Sequence, residues 1–150
     1  MEEKHFCVSV YVFDPENEKF LMIKHRKLGK WVQPGGHIEP NEDPEEASIR
    51  EVFEETGIKV KLIGKRCPRD CDYITPLAIQ KKVVKDNHIH MDFVYLAIPL
   101  ENQTEVINYV ETEGLGWFDL DEVFDKNFDT FENVRDWCKE ITELYNDKLI

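Results

Sequence analysis

The sequence lacks the features that mark membrane, fibrous and disordered chains. It contains no run of about 18 apolar residues, so no membrane-spanning helix is expected. Glycine and proline occur only seven times each among 150 residues, and there is no internal repeat or low-complexity segment, which excludes collagen-like and linker-rich chains. Because 41% of the residues are hydrophobic, we expect residues 1–150 to form one globular domain with its own core.

Positive charge is also scarce. Lysine and arginine together number 19 against 31 aspartates and glutamates, which gives a formal net charge of −12. Such a chain repels DNA and long RNA, so neither is an expected partner. A small anionic substrate is acceptable if metal ions screen its charge.

The N-terminus and the cysteines indicate a reducing compartment. The first ten residues, MEEKHFCVSV, have neither the basic nor the apolar region of a secretory signal, so we expect a cytoplasmic protein with reduced thiols. Cysteines can also bind zinc together with histidines. The spacing of Cys67 and Cys71 relative to the histidines fits no short zinc motif, so none is expected there.

The order of the predicted elements is strands, helix, strands, helix. Apolar patterns and turn residues predict a hairpin over residues 6–26 and two strands around the turn KDNH. One helix is predicted over residues 44–56 and another from Asp129 onward, where Asp129 and Glu132 form a capping-box pattern. This order is typical of an α/β fold with helices packed on a central sheet.

The first predicted helix has clear ends and two contrasting faces. Asp43 and Glu46 form a capping box at its start, and Gly57 is well placed to end it. Three apolar residues at positions i, i+3 and i+4 are expected to face the core, and these are Ile49, Val52 and Phe53.

Three glutamates share that spacing on the opposite side of the same helix. Glu51, Glu54 and Glu55 repel one another, which weakens a bare helix. A hard divalent cation such as Mg²⁺ would offset the repulsion, because it prefers carboxylate and water oxygens. The alternative is a solvated acidic face on an acidic protein.

The acidic helix belongs to a longer pattern within GGHIEPNEDPEEASIREVFEETGI, residues 35–58. Fixed spacings connect Gly36, Glu42, Arg50-Glu51-Val52, Glu54-Glu55 and Gly57-Ile58. At ordinary residue usages this pattern arises by chance on the order of once in 10⁹ starting points. It resembles the Nudix box of the Nudix hydrolase family at every fixed position. The flanking elements also resemble that fold, a mixed central sheet sandwiched between helices.

The resemblance implies a role for each polar residue of the pattern. Arg50 would orient the carboxylates through charge-assisted hydrogen bonds, and Glu42 would brace the loop. The bound ion would be Mg²⁺ or Mn²⁺. The implied metal ligands are the carbonyl of Gly35 and the carboxylates of Glu51, Glu54 and Glu55.

The resemblance also implies a reaction. The family hydrolyses nucleoside diphosphates linked to a further moiety, and water attacks one phosphorus of the diphosphate. Glu54 or Glu55 could act as general base. Two alternatives on the same fold stay open: a catalytically silent nucleotide-binding regulatory module, and an isomerase that would need other catalytic residues.

A further acid outside the pattern is often used by the family as metal ligand or base. Glu111 and Glu113 are the candidates, because both precede the segment that leads to the last helix. We expect Glu111 to be the catalytic and metal-binding one. The alternative is that both are exposed loop acids.

Substrate-binding residues are harder to assign. His88, His90 and Asp92 alternate with apolar residues on a predicted strand and therefore share one face. If that face lines the substrate cleft, His90 and Asp92 contact the ligand; otherwise they form a surface pair. His37 and Tyr73 are further candidates for binding the small nucleotide substrate. The oligomeric state stays open, with a homodimer among the alternatives.

Overall fold

A computed structural model describes residues 2–66, 68, 72–101 and 112–150, without the side chains of residues 112 and 113. The strands are β1 (Glu3–Asp14), β2 (Lys19–His25), β3 (Trp31–Val32), β4 (Gly35–His37), β5 (Val60–Ile63), β6 (Ala78–Lys85), β7 (His88–Pro99) and β8 (Thr112–Phe118). The helices are α1 (Pro44–Thr56), α2 (Leu120–Phe124) and α3 (Glu132–Asn146). None of these helices is long and apolar enough to cross a membrane.

The strands form one mixed sheet around β1 and β7. These two long strands pair in parallel, with Ser9 opposite Val94 and His5 opposite His90. On its other edge β1 pairs antiparallel with β4 and, near Asp14, with β2. Strands β5 and β6 both pair antiparallel with β7, while β3 and β8 flank β2. The predicted hairpin between β6 and β7 is confirmed, and its turn residues Asp86 and Asn87 both have positive φ.

Helices cover both faces of this sheet, as the sequence predicts. Alternate residues of β1 point to opposite faces. One face packs against α1 through a cluster that includes Val8, Val10, Val12, Ala47, Val52, Tyr95 and Ala97. The other face packs against α2 and α3 through a cluster that includes Tyr11, Phe13, Val94, Leu96, Val123, Val134, Cys138 and Ile141. The fold is therefore a mixed sheet between helices.

The predicted ends of α1 are confirmed, but the predicted inward face is wrong at two of its three positions. Asp43 caps the helix in a reciprocal capping box with Glu46, and Gly57 ends it in the left-handed conformation. The buried residues are Ala47, Ser48, Glu51, Val52, Glu55 and Thr56. Ile49 and Phe53 are instead 43% and 49% exposed. The buried carboxylates have polar partners, described below, and these partners rather than hydrophobicity set the rotation of the helix.

The predicted capping box of the last helix is also wrong. Helix α3 begins at Glu132 with Phe131 as N-cap and no capping hydrogen bond from a side chain. Asp129 instead accepts a hydrogen bond from Lys30 Nζ at 2.6 Å, and Glu132 pairs with Arg135. A long-range ion pair thus competes with local capping. Five residues recur at helical spacing in this part of the sequence, and of these Val134, Cys138 and Ile141 are fully buried, Tyr145 is half-buried and Phe131 is exposed.

Candidate functional site

Arg50 is the centre of the polar cluster at α1. Its Nε and Nη2 donate to the two oxygens of Glu42 at 2.6 and 2.8 Å, which is a bidentate ion pair. Its Nη1 donates to Glu51 at 2.9 Å and to Glu54 at 3.2 Å. Its Nη2 also donates to the carbonyl of His37 at 3.0 Å. One guanidinium therefore connects the helix to the loop before it.

The electrostatic effect of this arrangement is mutual. Hydrogen bonding to Arg50 lowers the pKa of Glu42 below its ordinary value. The same bond, followed by the bond to Glu51, raises the pKa of the Arg50 guanidinium. Both groups are charged at neutral pH, so the loop is held by a full ion pair.

Two glycines allow the carboxylates of α1 to approach β4. The backbone N–H of Gly35 donates to Glu55 Oε1 at 2.9 Å. A Cβ on Gly36 would lie 2.5 Å from Glu51 Oε1. Glu51 and Glu55 are only 8% and 3% exposed, which is rare for glutamate without partners. Glycine at residue 36 is thus a steric requirement of the acidic cluster, whereas a Cβ on Gly35 would meet the carbonyl of Val8 in β1.

The donor set of this cluster consists of oxygen. Glu51 and Glu54 each direct one oxygen to Arg50, whereas Glu55 directs one to Gly35, so the three carboxylates face two different partners. In the described part of the chain, the groups whose ligand atoms lie within 4.8 Å of one another consist of histidines and Cys7 rather than these glutamates. A hard cation such as Mg²⁺ suits the chemistry of the glutamates, because it prefers carboxylate oxygens.

A cavity of about 210 Å³ lies beside this cluster. Its walls include Gly35, Gly36 and Glu55, together with His90 and Asp92 of β7. One cavity is therefore lined both by Glu55 of the acidic helix and by residues of the polar face of β7. Asp92 is 2% exposed and does not form the surface pair considered above.

Asp92 is held in a buried polar network. Its Oδ2 accepts from Ser9 Oγ at 2.6 Å and from Gln80 Nε2 at 2.9 Å. Gln33 Nε2 donates in turn to Ser9 Oγ at 3.0 Å. Lys82 Nζ lies 3.9 Å from Asp92 Oδ2. Within the described residues, Asp92 Oδ1 and Gln33 Oε1 are buried without a hydrogen-bond partner, which leaves two acceptors in the walls of the cavity.

Among the other predicted site residues, His37 and Tyr73 do not line the cavity. His37 ends β4, and its ring contacts His90, with 3.3 Å between the two Nε2 atoms. Tyr73 lies near the N-terminus of α1, where the charge of Asp43 and a hydrogen bond to it raise the pKa of the phenol. Glu111 lies outside the described residues. Glu113 lies in β8.

Several polar residues of the cavity were not predicted. Ser9 is the one polar residue in the apolar run CVSVYVF, and that contrast was an available signal. Gln33 follows β3, whereas Gln80 and Lys82 both lie in β6, and all three reach Asp92 or Ser9 only through the folded sheet. No local pattern marks them.

Comparison with protein families gives a match over most of the chain. A model of the NUDIX domain matches residues 3–138. The mouse (Mus musculus) protein nucleoside diphosphate-linked moiety X motif 6 is 32% identical over 114 residues, which cover 73% of this chain and 33% of that protein. The chain thus spans about a third of the length of this curated relative.

Solved structures share the fold. A hydrolase of the NUDIX family from Clostridium perfringens has a TM-score of 0.80 and 32% identity, covering 95% of this chain and 99% of that one. A UDP-X diphosphatase has a TM-score of 0.69 at 20% identity, covering 97% of this chain and 66% of that one, which shows similarity of fold alone.

Proposed function

This chain belongs to the Nudix family, and on that premise we propose that it is a Mg²⁺-dependent hydrolase that cleaves the diphosphate linkage of a nucleoside diphosphate derivative. The observation that carries the proposal is the hydrogen-bonded cluster in which Arg50 holds Glu51 and Glu54 beside the loop that binds Glu55. We further propose that residues 1–150 act as one domain, in the cytoplasm, on a small-molecule substrate.

The residues present fit a hard divalent cation, Mg²⁺ or Mn²⁺. Arg50 pairs with three glutamates, Glu42, Glu51 and Glu54, but contributes only one positive charge. The cluster therefore has an excess of negative charge, which a bound cation would offset. The residues that would hold the ion are Gly35, through its carbonyl, and Glu51, Glu54 and Glu55. When bound, the ion would neutralise phosphate oxygens and lower the pKa of the attacking water.

The protein itself supplies orientation. Arg50 fixes one oxygen of Glu51 and one of Glu54, so their remaining oxygens point in defined directions. Gly35 does the same for Glu55 through its backbone N–H. Ligands that are held by a second set of hydrogen bonds lose little entropy on binding, and removal of such bonds typically costs 10–100-fold in affinity.

Proton removal from water requires a carboxylate near the diphosphate. Glu54 and Glu55 are the candidates on α1, and Glu111 is the candidate outside the described residues. The base takes one proton from water as the new P–O bond forms, and the bond from that phosphorus to the bridging oxygen breaks. Two phosphate-bearing products result. Glu55 lines the cavity, which favours it over an acid that faces only solvent.

The polar lining of the cavity suits the rest of the substrate. His90 and Asp92 belong to that lining, and His37 lies against His90. The buried acceptors Asp92 Oδ1 and Gln33 Oε1 would receive hydrogen bonds from hydroxyl or amino groups of a ribose or base. The cavity is smaller than the roughly 300–1,000 Å³ of typical ligand sites, so it would hold only part of the ligand. Tyr73 would contact a substrate only if the ligand reached the N-terminus of α1.

A substrate panel tests this proposal. The protein would be incubated with nucleoside diphosphate sugars, dinucleoside polyphosphates and nucleoside triphosphates, with Mg²⁺ and separately with EDTA. Mg²⁺-dependent release of two phosphate-bearing products from at least one class is the expected result. Tight binding of a nucleotide without turnover would support a regulatory module and contradict the proposal.

A further inference from the structure

Four of the five histidines come together at one corner of the sheet. His5 lies opposite His90 in the parallel pair β1–β7, and Cys7 lies opposite His37 in the pair β1–β4. Residues two apart on a strand share a face, so His88 joins the same surface. Three strands thus place their imidazoles on the face of the sheet that also carries Asp92.

Two of the spacings among these ring nitrogens are those of ligands around one ion. His90 Nε2 lies 3.3 Å from His37 Nε2 and 3.1 Å from His88 Nε2. Two nitrogens that are each about 2.0–2.1 Å from a tetrahedral ion lie about 3.3–3.4 Å apart. One ring nitrogen of His37 and one of His88 also lie within 4.8 Å of each other. A shared ion requires the rings of His37 and His88 to turn toward each other around His90.

The surroundings of the cluster also resemble those of ligating histidines. Glu3 Oε2 lies 3.8 Å from His88 Nδ1, on the opposite side of the ring from the Nε2 that faces His90. A carboxylate behind the non-ligating nitrogen is the usual second partner of a metal-bound histidine. His5 stacks on His37 and His88, with ring centroids 4.9 and 4.6 Å away, and packs both rings in place.

We propose that this cluster is a second metal site, which binds one late transition-metal dication of the Zn²⁺ type through Nε2 of His37, His88 and His90. Imidazole donors select Zn²⁺ and its neighbours over Mg²⁺, which prefers oxygen. Three protein ligands leave a fourth position for water or an anion, as in zinc sites that bind substrates. This site goes beyond the proposed hydrolase function and does not depend on it.

The site adjoins the acidic cluster through one residue. The carbonyl of His37 accepts from Arg50, while its ring belongs to the histidine cluster. The histidine cluster therefore adjoins the cavity that His90 and Glu55 line. The two sites differ in donor chemistry, however, so they can be loaded and tested separately.

Calorimetric titration of chelator-treated protein with Zn²⁺, in excess Mg²⁺, tests the proposal. We expect one Zn²⁺ per chain and no competition by Mg²⁺. His90→Ala and His88→Gln should each weaken Zn²⁺ binding by at least about a hundredfold. Loss of a group that only hydrogen-bonds to a metal ligand already costs about 10–100-fold in affinity. His25→Ala is the matched control, because His25 is the fifth histidine and lies at the end of β2. It should bind Zn²⁺ as the unmodified chain does.

Three results would overturn the assignment. Unchanged Zn²⁺ affinity in folded His90→Ala and His88→Gln, with the fold checked by circular dichroism, would show that the imidazoles only hydrogen-bond to one another. Loss of Zn²⁺ binding in Glu55→Gln would move the ion to the acidic cluster. Sulfur-to-metal charge-transfer bands in the Co²⁺ form would make Cys7 a ligand. Zn²⁺ binding is measured without substrate, so a failed hydrolase proposal leaves it unaffected.

Discussion

Replacing Glu42 by glutamine should destabilise the protein through the loop before α1. Glu42 accepts two hydrogen bonds from Arg50, at 2.6 and 2.8 Å, and one from the backbone N–H of Glu39. Its side chain is 13% exposed, so water replaces little of what is lost. Glutamine keeps one acceptor oxygen and turns an amino group toward the guanidinium. Losing one charge-assisted bond and weakening another should cost about 2–3 kcal/mol.

Urea and thermal unfolding at pH 7, followed by circular dichroism, measure this cost. For a chain of this size the expected fall in Tm is about 4–12 °C. Glu132→Gln is the matched control, because Glu132 also accepts from an arginine at 2.6 Å but is 82% exposed. Exposed pairs contribute little, so the control should unfold close to the unmodified protein. Equal falls in Tm for Glu42→Gln and Glu132→Gln would refute the argument that burial strengthens the ion pair of Glu42.

The pH dependence provides a second check of the same pair. Hydrogen bonding to Arg50 lowers the pKa of Glu42 in the folded state below its ordinary value of 4.5. The stabilisation by Glu42 is therefore complete above pH 4.5 and is lost as the pH falls through the lowered pKa. The stability difference between the unmodified chain and Glu42→Gln should stay constant near neutrality and shrink in acid. A difference that grew in acid would contradict the ion pair.

Three further predictions concern the acidic cluster. Gly36→Ala places a Cβ 2.5 Å from Glu51 Oε1 and should displace this carboxylate. We expect kcat to fall by about a hundredfold with little change in the circular dichroism spectrum. A normal kcat would show that Glu51 tolerates displacement. Mg²⁺ should raise Tm, since a hundredfold excess over Kd stabilises by about 2.7 kcal/mol, and superimposable scans with Mg²⁺ and EDTA would favour a solvated acidic face. Glu111→Gln should lower kcat more than Glu113→Gln, with KM nearly unchanged; the reverse order in parallel kinetics would mean that the extra acid is misplaced.

The ends of α1 were predictable because their causes are local. The capping box of Asp43 and Glu46, and the glycine at residue 57, act within one turn of the helix. The direction of the helix faces was not predictable in this way. It depends on the backbone N–H of Gly35, which belongs to another element and receives Glu55. A prediction from hydrophobicity alone therefore places Ile49 toward the core, whereas the structure leaves it exposed.

The histidine corner shows a different limit of sequence reasoning. The alternation of His88, His90 and Asp92 along one strand was predictable, since strand periodicity is local. The parallel pairing of β1 with β7 was not, and this pairing brings His5 beside His90. Contacts between distant strands leave no spacing pattern in the sequence. Short zinc motifs therefore do not identify histidines that only the folded sheet brings together.

Turnover of Glu54→Gln and Glu55→Gln at saturating Mg²⁺ tests most directly whether the carboxylates of α1 form a catalytic metal site. Each variant keeps the size of the side chain and removes one charge or base, so kcat should fall by about two to three orders of magnitude. Glu140→Gln, at an exposed position of α3, serves as control and should retain normal kcat. Near-native turnover of both cluster variants, with the best substrate of the panel, would contradict the account.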